Sequence, residues 1–179
     1  MRTALVVLAA AAGLWLNACS TAPETQNEKA SLASESASAI DRFRAADPTL
    51  QAMLDKAAGY AVLPEVGKGG VILGASYGRG EVFEKGAKVG YAELAEGTVG
   101  LQLGAQVFSE LIVFKTKRAL DDFKDGEFSF AANATAVAIK PGAASTYDSS
   151  SDVVAFTHIK GGLMAEAAIG GQKLSYKPL

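Results

Sequence analysis

The chain reads as an α+β domain: a strongly curved antiparallel β-sheet approaching a barrel, with two N-terminal helices and one short inserted helix. Three observations predict it. Apolar residues recur with a helical period up to Ala58 and with a period of two from Tyr60 onward. Glycine fills 19 of 179 positions, often every second residue of an extended segment, where it permits tight bending and close backbone approach. Hydrophobic residues make up 49% and charged residues 20%, enough apolar surface for one packed core and too much for wholesale disorder.

The elements follow in order. Ala30–Ala46 is the first helix, with Leu32, Ser36, Ala39 and Phe43 along one face and Arg42 and Arg44 in the last turn, where positive charge suits the helix dipole. Asp47-Pro48 has the form of an N-cap followed by proline at N1, so a second helix is expected from Pro48 to about Ala58, with Gly59 as its stop. Tyr60–Leu63 is a short strand closed by Pro64. Residues 65–70 form a glycine-rich connection. Val71, Leu73, Ala75 and Tyr77 alternate with Ile72, Gly74, Ser76 and Gly78. Lys85-Gly86-Ala87-Lys88 carries hairpin-turn chemistry before Val89–Leu94 returns. In 98–114, Val99, Leu101, Leu103, Ala105 and Val107 alternate with Gly100, Gln102, Gly104 and Gln106. Thr116 caps a short helix ending near Lys124, with Leu120 and Phe123 inward and Gly126 beyond it. Residues 128–139 are extended, 143–151 form a small polar loop, and Val153–Ile159 is a further strand. Gly170-Gly171 is expected to turn a terminal hairpin, for about seven strands in all.

The N-terminus has a separate logic. Met1-Arg2-Thr3 is a minimal positive start, and Ala4–Leu16 is an apolar run of 13 residues, too short to cross a bilayer comfortably. Leu16-Asn17-Ala18-Cys19 resembles a lipobox, with Leu at −3, Ala at −1 and the chain's only cysteine at +1. A solitary cysteine forms no intramolecular disulfide. The resemblance implies a secretion signal over 1–18, a diacylglycerol (palmitate-type) modification on Cys19, and a protein anchored to a membrane. Ser20, rather than Asp, follows the cysteine and points to the outer membrane facing the periplasm. Residues 19–29 are expected to be a flexible tether and 30–179 the domain. The net charge of −2 gives no global pull toward nucleic acid or an anionic membrane, and without Arg2 the processed chain has 16 basic and 19 acidic side chains, a balance of −3.

Three ordered blocks then become recognisable. Gly59-Tyr60-Ala61-Val62-Leu63-Pro64-Glu65-Val66-Gly67-Lys68-Gly69-Gly70, followed by Gly78-Arg79-Gly80-Glu81-Val82, resembles the opening of the SYLF domain. Gly100–Gln106 with Phe108-Ser109-Glu110 resembles its middle, and Lys160-Gly161-Gly162-Leu163 with Gly170-Gly171 its close. The resemblance extends from about Ala30 to the C-terminus. It implies a non-catalytic binding domain. Eukaryotic SYLF proteins bind membranes, notably phosphoinositides, and fungal members bind and bundle actin. Neither ligand is expected in a periplasm; association with acidic phospholipid headgroups is. The first helix departs from the membrane-binding type, since Ala and Ser stand where Leu, Phe or Trp would strengthen binding.

The candidate headgroup contacts are Lys68, Gly69, Gly70, Arg79, Arg42, Arg44 and Lys56: cations that attract anionic lipid, and glycine amides able to cradle a phosphate. Lys115, Lys117 and Arg118 form a second cluster. Gly67-Lys68-Gly69-Gly70 lacks the Ser or Thr after Lys that a nucleotide-binding loop needs. A Ser-His-Asp triad would have to use His158, the only histidine, with Ser109 or Ser145. Val154 and Phe156 share that histidine's strand face, which reads as structural. No cofactor or metal is expected. Two alternative functions share these features: an adaptor for another envelope protein through a sheet edge, and a carrier of one apolar ligand.

Overall fold

The computed structural model describes residues 22–126, 134–146 and 151–179. Cys19 and the expected signal lie outside the described residues. The first helix, α1 (Gln26–Ala46), starts within the expected tether. A capping box sets that start. The Thr25 hydroxyl accepts from the Glu28 N–H (3.2 Å) and the Glu28 carboxylate accepts from the Thr25 N–H (3.0 Å). Helix α2 (Leu50–Lys56) is shorter than expected, and its N-cap is Thr49. Asp47 is not that cap. Its carboxylate accepts from the N–H (2.9 Å) and hydroxyl (2.7 Å) of Thr49, and from the N–H groups of Gly142 (3.0 Å) and Ala144 (2.7 Å). It thereby fixes the corner between α1 and α2 to the distant segment that opens α4 (Ala143–Thr146), a short helix where a loop was expected. Helix α3 (Lys117–Lys124) forms as predicted, with the Thr116 hydroxyl accepting from Ala119 N–H and Leu120 and Phe123 buried.

The strands are fewer and longer than expected: β1 (Gly59–Gly70), β2 (Leu73–Glu84), β3 (Ala87–Phe114), β4 (Ala134–Ala138) and β5 (Val153–Pro178). Pro64 does not close β1. A register shift on each side of it absorbs the residue that has no N–H to give. Strands β2 and β3 join where the turn was expected, but only Lys85 and Gly86 form it, both with positive φ, and Ala87 and Lys88 already belong to β3.

The pairing is that of nested hairpins. Strand β1 is antiparallel to β2. Strand β3 is antiparallel to β2 over 87–99 and to β1 over 104–114. Both pairings hold only if β3 reverses direction between Val99 and Gly104. It does so around the tip of the β1–β2 hairpin, where Gly100 N–H donates to the Ile72 carbonyl (2.9 Å). Gly100 (φ 149°) and Gly104 (φ 127°) bracket the reversal in a region that side chains disfavour. Strand β5 follows β3 along its whole length and reverses with it. Gly170-Gly171 is therefore not a turn; both residues lie in the ladder, opposite Thr98 and Gly97. The sheet has six antiparallel passes, and β4 adds to β5 in parallel. It stays open: among the described residues, β4 and the second half of β5 are unjoined edges, so the expected approach to a barrel stops short of closure.

The core fills only one end of these hairpins. On one face of the base, Ala61, Leu63, Ile112, Phe114, Val153 and Ala155 pack against α3, with Phe114 stacked on Phe123 at 4.9 Å between ring centres. On the other, Val62, Leu111, Val113, Val154 and Phe156 pack against Ile40 and Phe43 of α1, Leu50 and Leu54 of α2, and α4. Each Val, Leu, Ile or Phe side chain so buried contributes roughly 1.5–3 kcal/mol.

Candidate functional site

The opposite end, the crest, is formed by the hairpin tip at 70–74 and the part of β3 that wraps it. Helix α1 reaches only its lower rim. There, Glu28, Ser31, Leu32 and Glu35 face Pro64, Gly67, Tyr77 and Arg79 across a cleft of about 360 Å³. Beyond it the two faces of the crest diverge in chemistry. Tyr77 and Gly67 are cross-strand partners on the α1 face. Alternation and register place Leu73, Ala75, Ala95, Gly97, Val99, Leu101, Leu103 and Ala105 on that same face. All of these are exposed, Leu73 at 70%, Leu101 at 76% and Leu103 at 68%, and none is charged. With Val71 and Ile72 at the tip, they form a continuous apolar surface.

The other face is polar and sheltered. Ser76 and Thr98 are each only 3% exposed. Ser76 Oγ donates to Glu96 Oε2 (2.6 Å), and Lys68 Nζ lies 3.6 Å from the same oxygen. Glu110 is buried nearby, and its Oε2 has no hydrogen-bond partner. Burial, reinforced by the Glu96 charge and partly offset by Lys68, pushes its carboxyl up to about 8. A half-buried soluble sheet hides its apolar face and shows its polar one; the crest does the reverse.

The predicted site residues divide between the two ends of the fold. Lys68 lies on the crest half with its ammonium beside Glu96. Gly69 and Gly70 are paired on both edges, to Ala75 and Gly74 of β2 and to Ala105 and Gly104 of β3. The 65–70 connection is thus strand, and its backbone groups point along the sheet instead of forming an open phosphate cradle. Arg79 is exposed at the rim. Arg42 and Arg44 sit at the base end of α1, about 21 and 24 Å along the helix from Glu28; Arg44 pairs with Asp41 (3.6 Å). Lys56 lines a separate groove of about 700 Å³ at the base, with Met53, Ala57 and Lys115. In the second basic cluster, Lys117 pairs with Asp121 and Arg118 with Asp122 (3.8 Å).

Ser109 and His158 meet as cross-strand partners. The Ser109 hydroxyl is buried and donates to the Pro64 carbonyl (2.8 Å). His158 packs edge-on to Phe43 (6.1 Å between ring centres), with an unpartnered Nδ1. Ser145 donates to the Gly142 carbonyl, at α4. No carboxylate orients His158 among the described contacts. The alternation at 99–107 is plain in the sequence, but the outward direction of its apolar side is not. That depends on the reversal of β3, which carries Val99–Leu103 past the last turn of any helix. Among the described residues, no three metal-ligating side chains gather, and no helix is long and apolar enough to cross a membrane.

Residues 95–177 match a family model, Ysc84, described as "Las17-binding protein actin regulator". No curated protein matches the chain. The matched segment holds the middle and closing blocks quoted above. The opening block, Gly59–Gly70 with Gly78–Val82, precedes it.

Proposed function

From the membership of residues 95–177 in the Ysc84, or SYLF, family, we propose that this chain is a lipid-anchored protein whose domain binds phospholipid headgroups at a membrane surface, without catalysis. One observation carries the reading: α1 begins beside the crest. Thr25 caps a helix whose first turns face Gly67 and Arg79. Five residues lie between Cys19 and Thr25, so the two are at most about 22 Å apart. An acylated Cys19 would therefore draw the crest and its rim, not the base, onto the bilayer. Arg79 is then the foremost headgroup contact. Lys160, held to Glu65 at 2.7 Å, flanks it. Each cation near an anionic surface contributes roughly 1 kcal/mol. Lys68 has Glu96 beside it and plays a smaller part. Arg42, Arg44 and Lys56 face away from the membrane in this orientation. The outer membrane, periplasmic side, is the compartment.

Every described element lies between Gln26 and Pro178, so a chain starting at Ser20 keeps the whole fold. That chain should sediment with vesicles rich in anionic phospholipid and release at high salt. Arg79→Glu should weaken sedimentation about tenfold, and Lys68→Ala less. Absence of sedimentation at every lipid composition would defeat the proposal. The family description names a protein partner. An envelope protein cross-linked in intact cells, with no vesicle binding, would establish the adaptor reading in its place.

A further inference from the structure

We infer that the apolar face of the crest dips into the hydrocarbon of the leaflet that holds the anchor, so that the domain inserts shallowly into the bilayer as well as resting on its headgroups. The inference rests on the membrane reading above and adds its depth and contact residues. Leu73, Val99, Leu101 and Leu103, with Val71 and Ile72 at the tip, are exposed by 60% or more and lie together on one face, its charged neighbour Lys173 standing lower down, beside Ala95. Their polar neighbours are turned to the sheltered side, where Ser76 and Lys68 both engage Glu96 and Thr98 is buried. Apolar outside and polar inside is the arrangement of β-structure that meets lipid.

Position selects the occupant. The start of α1 lies on the same face as the apolar crest, so the short tether from Cys19 leaves the domain where that face would meet the bilayer. From Gly67 to the tip the strands extend about 15 Å, half the thickness of a hydrocarbon core. Among the described residues the outer edge of the second half of β5 is unpaired, and its backbone groups need water, which limits the depth to about 5–10 Å.

Trp15 is the only tryptophan and lies in the expected signal, so a chain beginning at Cys19 has none. Leu101→Trp therefore introduces a single reporter at the crest, and Gln51→Trp, exposed on α2, one at the base. Each variant is coupled through the Cys19 thiol to a maleimide lipid in anionic vesicles carrying brominated acyl chains. The crest reporter should shift to the blue and lose at least half its emission. The base reporter should do neither. Adding Leu103→Asp to the crest variant should abolish the quenching while leaving the circular dichroism unchanged. Equal, unquenched emission from both reporters would overturn the inference. So would a crest reporter shielded by a concentration-dependent dimer and untouched by brominated lipid, which would make the occupant a second copy of the chain. The untethered chain from Ser20 separates this failure from that of the headgroup reading. Salt-reversible sedimentation without crest quenching removes insertion alone; quenching of the tethered chain without such sedimentation removes headgroup binding alone.

Discussion

Replacing Glu110 with glutamine tests the electrostatics of the sheltered face. Glu110 is 1% exposed, lacks a partner at Oε2, and titrates at about 8 instead of 4.5, chiefly because burial disfavours its charge. Its folded-state value is raised, so the native state holds a proton that the unfolded chain releases. Stability should therefore fall as pH rises from about 4.5 to 8, and level off above. At 1.36 kcal/mol per unit, the loss between pH 5 and pH 9 is about 4 kcal/mol. Glutamine resembles the protonated acid in shape and cannot ionise. Glu110→Gln should match the wild type at pH 5 and exceed its stability by about 4 kcal/mol at pH 9. Urea unfolding followed by far-ultraviolet circular dichroism measures both. A stability difference between the two proteins that stays constant across this range would refute the reasoning and mean that Glu110 is solvated or paired in solution.

Asp47→Ala removes the acceptor of four hydrogen bonds at a buried corner and should cost about 3 kcal/mol in the same assay. Burial opposes ionisation of Asp47, but the hydrogen bonds from Ala144, Thr49 and Gly142 outweigh it and hold its carboxyl below the usual range. Its contribution is present above the ordinary value of 3.8 and lost as pH falls through the folded value, so the variant should show a shallower acid unfolding profile. Gly80→Ala would set a Cβ 2.0 Å from the Val62 carbonyl oxygen and should prevent folding or cost more than about 3 kcal/mol; Gly97→Ala, with nothing within 4 Å, should stay within about 0.5 kcal/mol. Phe43→Ala empties a site 0% exposed where α1 meets the sheet and should cost about 3–5 kcal/mol by thermal or urea unfolding.

What could be read from residues alone was whatever local chemistry decides. Thr116 and Gly126 delimit α3 because a hydroxyl cap and a positive-φ glycine act within one turn of chain. Lys85-Gly86 closes its hairpin for the same reason. Strand length was not legible, because it depends on partners. Pro64 has the form of a strand end until register shifts on both sides make room for it. Gly100, Gly104, Gly170 and Gly171 look alike in sequence, yet the first two bracket a reversal and the last two lie within a ladder. The candidate site was half legible. Alternation at 99–107 was plain, but its sign needed the topology, since only nested hairpins carry those leucines beyond the helices. The candidate cations were chosen by charge, and α1 spreads them between the two ends of the fold.

The most direct measurement is the intact mass of the protein extracted from the membranes of the cells that make it. A chain beginning at Cys19 and carrying a diacylglyceryl group, with or without an acylated amino group, is the predicted result. A chain that retains residues 1–18, or begins at Cys19 with a bare thiol, would contradict it, because no acyl anchor would then draw the crest onto a bilayer.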